Sequence, residues 1–404
     1  MYIATVFARQ ILRYFHCGGV SGASAPSAKN ASAQFGRRKI GSKQGGFFRN
    51  TARGEPKSPK KLDILSRKPI FPQRQNMFAC RGLRAKLYST NKGFFMLIFC
   101  TGATGLVGYN FIKAASEAGH RVVAVSHSHE LPQFKGVEQM KIDLADTAAV
   151  QRAVLDVFPE MVVNCAAISS PADVDAKPEL AEKMNTALPE TLAILAKHVN
   201  ARLIHISTDM VFDGSCPPYK NTDVPMPATL YGTTKLMAEK RVLKICAPSS
   251  VVLRLSHVSG NSLTTKRSLH EKLLRSWAAG KPVSARTDEI KCPLSASRLA
   301  DLLYELCERP NVSGIYHYAG LEPVSRYDMA ARIAKHFGLD PQKYVVPTTG
   351  DRRVDLTMDM SCLAARVKTR SCMFDELFDE MRVPADVEDW LKAEGKPPVK
   401  RFKL

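Results

Sequence analysis

Tyr231 and Lys235 stand four residues apart, a spacing that puts both side chains on one face of a helix. A lysine ammonium beside a phenol favours the phenolate, and so should lower a tyrosine pKa that is about 10 in water. Such a tyrosine can pass a proton to a carbonyl oxygen near neutral pH. Ile206-Ser207-Thr208-Asp209 precedes the pair, and the Thr208 hydroxyl is a second candidate donor to the same oxygen. Tyr-x-x-x-Lys alone arises often by chance.

The pair gains meaning from Thr101-Gly102-Ala103-Thr104-Gly105-Leu106-Val107-Gly108, about 130 residues earlier. This stretch follows the apolar Met96-Leu97-Ile98-Phe99-Cys100 and opens an amphipathic run. Three glycines at a strand-to-helix turn allow a tight bend, close approach of a pyrophosphate to main-chain N–H groups, and close packing of helix on strand. The predicted ligand is a dinucleotide, whose nicotinamide would give hydride to a carbonyl while Tyr231 gives a proton to its oxygen.

The elements that position these residues follow in order. Apolar runs at Leu97 to Cys100, Val122 to Val125, Met140 to Ile142, Met161 to Asn164, Leu203 to Ser207 and Val251 to Leu255 read as strands covered on both faces. Helical stretches at 106–118, 147–157, 179–198 and 231–245 separate them. The pattern predicts an α/β protein with a doubly wound parallel sheet (a Rossmann fold), whose ligands collect at the carboxyl ends of the strands. Residues 96–255 form this domain. Past Ser256 the connections lengthen, with helices near 267–279, 297–309 and 325–337, and 256–391 reads as a smaller α+β substrate lobe with returning Rossmann elements. Pro217, Pro218, Pro225 and Pro227 make 212–229 an extended loop.

The ends of the chain differ from its middle. Residues 1–95 hold nineteen Lys and Arg against two acids, Glu55 and Asp63, and so carry +17 of the net +20. The remainder is nearly neutral, which argues against nucleic acid as a partner, because a binding face would have to lie on the folded domain. Ile3, Val6, Phe7, Ile11, Tyr14 and Phe15 at helical spacing, with Arg9 and Arg13 on another face, read as a mitochondrial transit peptide. Met96 begins the first strand directly, so the same segment also reads as an over-extended gene model on a cytoplasmic protein. Residues 392–404, ending Pro397-Pro398-Val399-Lys400-Arg401-Phe402-Lys403-Leu404, read as a flexible tail able to dock on a partner. No run approaches the ~18 apolar residues of a membrane span. The ten cysteines contain no Cys-x-x-Cys pair, and His127-x-His129 lacks further ligands, so no metal site is expected.

Ile206 to Gly214, Pro217-Pro218-Tyr219 and Leu230-Tyr231-Gly232-Thr233-Thr234-Lys235-Leu236 make residues 96 to about 391 resemble an extended short-chain dehydrogenase/reductase. The likeness is to the group that contains dTDP-4-dehydrorhamnose reductase and the regulatory β subunit of methionine adenosyltransferase. The resemblance implies catalytic roles for Thr208, Tyr231 and Lys235. It implies cofactor contacts from Gly102, Thr104, Gly105, Leu106, Val107 and Gly108 at the pyrophosphate, from Asp143 and Leu144 at the adenine, and from Asn164, Cys165, Ala166 and Ala167 on the ribose side. Lys235 would also hold ribose, and Arg254 matches a family arginine after the sixth strand. Arg352-Arg353-Val354-Asp355 stands where the reductases usually carry Arg-Pro-x-Asn, whereas Cys165-Ala166-Ala167, Pro217-Pro218-Tyr219 and Gly314-Ile315-Tyr316-His317-Tyr318-Ala319-Gly320 look more like the β subunit.

The second strand ends in Ser126-His127-Ser128-His129, with no acid before Glu130. An NAD site normally places a carboxylate there on the ribose 2′-hydroxyl. Its absence favours NADP, with Ser126 and His127 beside the 2′-phosphate and NAD still possible. Two functions fit: a regulator that binds NADP and docks on the methionine adenosyltransferase catalytic subunit in S-adenosylmethionine biosynthesis, or a ketoreductase of nucleotide-linked 4-keto sugars.

Overall fold

The computed structural model describes residues 96–395. The expected transit segment and the tail at 397–404 lie outside them. Seven parallel strands form one sheet in the order β11-β6-β5-β4-β1-β2-β3. They are β1 (Leu97–Thr101), β2 (Arg121–Ser126), β3 (Val137–Lys141), β4 (Met161–Asn164), β5 (Arg202–Thr208), β6 (Ser250–Leu255) and β11 (Gly314–Tyr318). The helices that concern the site are α1 (Leu106–Glu117), α2 (Thr147–Val157), α3 (Leu188–Val199), α4 (Leu230–Cys246), α5 (Leu269–Ala278), α6 (Ala296–Glu308) and α7 (Arg326–His336).

The central strands are apolar on both faces because both faces are covered. Ile98, Cys100 and Val122 share one core with Phe111 and Ile112 of α1 and Leu299, Leu302 and Leu306 of α6. Phe99, Val123 and Val125 share the opposite core with Val150 and Val154 of α2, Leu188 and Leu192 of α3, and Val242 of α4. A third core around Trp277, Phe337, Tyr344 and Phe374 builds the smaller lobe. That lobe is interrupted, since α6 packs on the sheet and β11 joins it.

Short strands beyond β6 complete the lobe: β7 (Val258–Ser259), β8 (Val283–Arg286), β9 (Glu289–Lys291), β10 (Leu294–Ser295), β12 (Val324–Ser325), β13 (Val345–Thr348) and β14 (Val354–Asp355). Of these, β9 lies between β12 and β14 and carries Lys291 toward the sheet.

Two elements differ from expectation. The third strand runs Val137–Lys141, starting earlier than 140–142, because Val137 pairs with Val122 across a polar-faced edge that apolar runs do not reveal. The helix expected over 179–198 is three pieces: Pro178–Glu182, a π turn at Lys183–Ala187, and α3. Pro189 has no N–H to donate into the preceding turn, and the hydrogen-bond ladder slips there.

The glycine turn is as tight as its spacing implies. Gly102 has φ +69°, and a Cβ there would lie 2.7 Å from the Ala166 nitrogen. A Cβ at Gly108 would lie 2.3 Å from the Gly102 carbonyl oxygen, so α1 can seat on β1 only without a side chain at that position. Gly108→Ala therefore should cost about 3 kcal/mol, the upper part of the overpacking range, because a backbone oxygen cannot swing aside. Denaturant unfolding measures this, and a loss below about 0.5 kcal/mol, the scatter of a neutral surface change, would show that the turn relaxes freely.

Candidate functional site

The expected residues converge at the carboxyl ends of β1, β4 and β5. Thr208 ends β5, and the main chain then turns through a short 3-10 segment, Asp209–Val211. The first turn of α4 lies against that segment. A Cβ at Gly232 would stand 2.0 Å from the Met210 carbonyl oxygen. This contact is why glycine follows Tyr231, and it holds the phenol beside Thr208. Thr229 caps the helix through its hydroxyl, which accepts from the Gly232 N–H at 3.1 Å.

Tyr231 and Lys235 are both buried, at 9% and 2% exposure. Burial pushes the Tyr231 pKa above its ordinary value, the Asp209 carboxylate adds to the rise, and a hydrogen bond with Thr208 opposes it. The expectation that Lys235 lowers this pKa is corrected. The Lys235 ammonium is turned to the Ile206 carbonyl at 2.5 Å and to His205 Nε2 at 3.4 Å, and desolvation outweighs it at the phenol. Tyr231 thus holds its proton, which suits a donor. Burial lowers Lys235 to about 8, with Glu239 and then Cys165 opposing the shift.

Behind Lys235 runs a buried polar chain. His205 Nδ1 meets Asn164 Nδ2 at 3.0 Å, and Asn164 Oδ1 accepts from the Thr101 hydroxyl at 2.7 Å and from the Ala166 N–H at 3.3 Å. Burial, followed by the charge of Lys235, holds His205 well below its usual pKa, so it is neutral. Asn164 therefore fixes the 165–167 turn, with Ala166 buried and Cys165 and Ala167 half-buried at the crevice.

Several functional residues carry no signal in sequence spacing. Asp209 accepts both its Lys291 contacts at 3.0 Å, accepts from Ser256 Oγ at 3.0 Å, and accepts from the Thr208 hydroxyl at 3.1 Å. Asn185, in the π turn, accepts from the Ile168 N–H at 2.8 Å and donates to Thr234 Oγ1 at 3.2 Å, tying the 168 loop to α4. Glu239, one turn beyond Lys235, accepts from Ser207 Oγ at 2.5 Å.

Arg254 does not join the crevice. Its guanidinium is buried and donates to Glu239 at 2.7 and 3.0 Å, and it lies 5.0 Å from the centre of the Phe212 ring. The expected cofactor contact is thus corrected to a bolt between β6 and α4. Arg352 is spent too, donating to the Asp213 carbonyl at 2.8 Å, while Val354 and Asp355 pair with β9.

The dinucleotide expectation meets its test at the start of α1. Its N-cap, Gly105, makes no side-chain cap bond and no acid lies in the first turn, so the N–H groups of Leu106 and Val107 stay available to a phosphate. Thr104 is buried beside them. At the end of β2, Ser126 Oγ accepts from Gln139 Nε2 at 2.6 Å, His127 is exposed, and Glu130 is drawn to Lys141 at 2.9 Å. Asp143 is exposed and Leu144 half-buried near the start of α2. These residues fit a pyrophosphate and its nucleoside. Among the described residues no group of three His, Cys, Asp or Glu could hold a metal ion, and no helix is long and apolar enough to cross a membrane.

A family model described as the RmlD substrate binding domain matches residues 96–358. The chain belongs to that family. Among relatives of this RmlD-type chain is "Methionine adenosyltransferase 2 subunit beta" of Xenopus laevis, 34% identical over 256 residues, which cover 62% of this chain and 75% of that protein. Another is "Probable low-salt glycan biosynthesis reductase Agl14" of Haloferax volcanii, 33% identical over 248 residues, 61% of this chain and 81% of that protein. A solved structure of a hypothetical dTDP-4-dehydrorhamnose reductase from Sulfolobus tokodaii superposes with a TM-score of 0.62 at 29% identity, covering 71% of this chain and all of that one, 100%. The fold is shared by the Bacillus anthracis dTDP-4-dehydrorhamnose reductase solved in complex with NADP, at 19% identity and a TM-score of 0.60, over 71% of this chain and 98% of that one.

The Glu239–Arg254 pair yields a contrast between two ion pairs made by α4. Glu239→Ala leaves a buried guanidinium without its counter-charge and should cost about 3–5 kcal/mol. Glu182→Ala removes a 3.4 Å surface contact to Arg241 and should cost at most about 1 kcal/mol. Equal losses in denaturant unfolding would show that Glu239 is not the anchor.

Proposed function

We propose that the protein is an NADP-binding regulatory partner of a methionine adenosyltransferase catalytic subunit in S-adenosylmethionine synthesis. The observation that carries this reading is its 34% identity to the Xenopus laevis β subunit across 75% of that protein. The Thr208 hydroxyl donates to Asp209 and accepts from the Met210 N–H at 3.2 Å, a resting arrangement open to either reading. NADP is preferred to NAD because no acid faces the 2′ position at 126–129, although NAD also fits the glycine turn. The working compartment is the cytoplasm, with mitochondrial import the alternative should residues 1–95 act as a leader.

The second reading is an NADPH-dependent ketoreductase of nucleotide-linked 4-keto sugars. It is favoured by the retained Thr208, Tyr231 and Lys235 and by the likeness to the Haloferax volcanii protein. When bound, the nicotinamide would supply hydride. Tyr231 would give its proton to the substrate oxygen, Thr208 would release Asp209 to hydrogen-bond the same oxygen, and Lys235 would orient the ribose.

Tyr231→Phe separates the two. As a regulator, the variant should capture the catalytic subunit and support S-adenosylmethionine synthesis almost unchanged. As a reductase, it should lose NADPH oxidation with a dTDP-4-keto-6-deoxy sugar by about 10²-fold or more, since the proton donor is gone. Robust sugar turnover by the unaltered protein, with no association with the catalytic subunit, would overturn the preferred reading.

A further inference from the structure

A cavity of about 260 Å³ lies outside the crevice, between the second and third turns of α1, the 261–265 loop and the segment at Arg382. Two cationic residues line it from separate elements, Lys113 on α1 and Arg382, with Tyr109 of α1 beside them. Lys113 and Arg382 are exposed, and among the described residues neither side chain forms an ion pair or hydrogen bond. Most other arginines of the smaller lobe are spent. Arg275 binds Asp386 through both oxygens at 2.7 Å, and Arg332 pairs with Glu322 and Asp375.

The one carboxylate that lines the cavity cannot serve these cations. Glu271 is 1% exposed and accepts from the Ser262 N–H at 2.8 Å, Ser262 Oγ at 2.6 Å, and the Arg267 and Ser268 N–H groups at 2.9 Å each. Those bonds also make the loop rigid. Arg275 further holds Thr265 by its carbonyl and its hydroxyl, and the Thr265 backbone sits at φ +52°. Asn110 Nδ2 donates to the Asn261 carbonyl at 3.1 Å, while Asn261 Oδ1 accepts from the Arg382 N–H at 2.9 Å. The walls are therefore tied to one another before any ligand arrives.

Lys113 and Arg382 bring two like charges to the lining of one cavity whose single lining carboxylate is committed elsewhere, an arrangement that favours an anion between them. We infer that this cavity binds a compact phosphate-bearing anion, with the Arg382 fork and the Lys113 point charge on the phosphate oxygens and the Tyr109 hydroxyl as a third donor. The site is separate from the cofactor's pyrophosphate, which belongs at the N–H groups of Leu106 and Val107 on the first turn. An anion here would join α1 to the segment at Arg382.

The probe is inorganic phosphate, with pyrophosphate as the larger comparison, titrated by calorimetry into the full chain in chloride buffer with NADP at saturation. Phosphate should still bind with NADP in place, and Lys113→Met/Arg382→Met should weaken it by at least about tenfold, since charge-assisted bonds to both cations are lost. NADP affinity of the double variant should stay within about twofold, because both side chains are exposed and neither touches the crevice, which also reports that the variant is folded. Each single substitution should give an intermediate loss. Phosphate binding that vanishes on adding NADP, that survives the double substitution, or that is undetectable at millimolar phosphate would each overturn the inference.

Discussion

A carboxylate and a guanidinium sealed from water hold the chemistry in place. Glu239 and Arg254 sit at 1% exposure each, and desolvating such a pair is costly unless further partners complete it. Three do. Ser207 donates to Glu239, His317 Nε2 lies 3.3 Å from the guanidinium, and Phe212 covers the Arg254 guanidinium. The pair locks α4 to β5 and β6 at once, and α4 carries both Tyr231 and Lys235. With its far end bolted and Gly232 seated on the Met210 carbonyl, the helix has little freedom to rotate the phenol away from Thr208.

That anchoring lets ionisable groups remain buried around the crevice. Asp209 is neutralised by Lys291 from β9, which binds the smaller lobe to the end of β5 through charge as well as apolar contact. Lys235 is placed among His205, Ile206 and Cys165, where desolvation lowers its proton affinity. The crevice is thus a polar seam between two lobes. Such a seam serves a bound nucleotide equally well whether it is turned over or kept as a structural ligand.

Much of this was legible in sequence wherever the physics is local. The glycine spacing foretold contacts that leave no room for a Cβ at 102 and 108, and apolar runs located the inner strands because both faces are buried. The edge strand β3 is polar and was displaced for that reason. Asp209 and Lys291 lie 82 residues apart, so nothing in their spacing announces the pair. Arg254 shows the opposite failure: its position by resemblance suggested a ligand contact, but a carboxylate 15 residues away in sequence takes it. The direction of the phenol pKa is not legible in spacing, which records that Lys235 is near, whereas burial and Asp209 decide the balance.

The central claim is that these residues form a working dinucleotide site in which protonated Lys235 holds the ribose. The ammonium donates charge-assisted bonds that a neutral amine makes far less strongly. Contact with the ribose, as proposed, would raise its pKa from about 8, so the gain in binding would be full below that value and would be lost as pH rises from it through the higher, ligand-bound value. Calorimetric titration of NADPH from about pH 6.5 to 9.5 measures this directly. The account predicts affinity that falls as pH passes about 8 in the unaltered protein and stays nearly flat in Lys235→Met. An affinity independent of pH across that range, or a fall that persists in Lys235→Met, would contradict it.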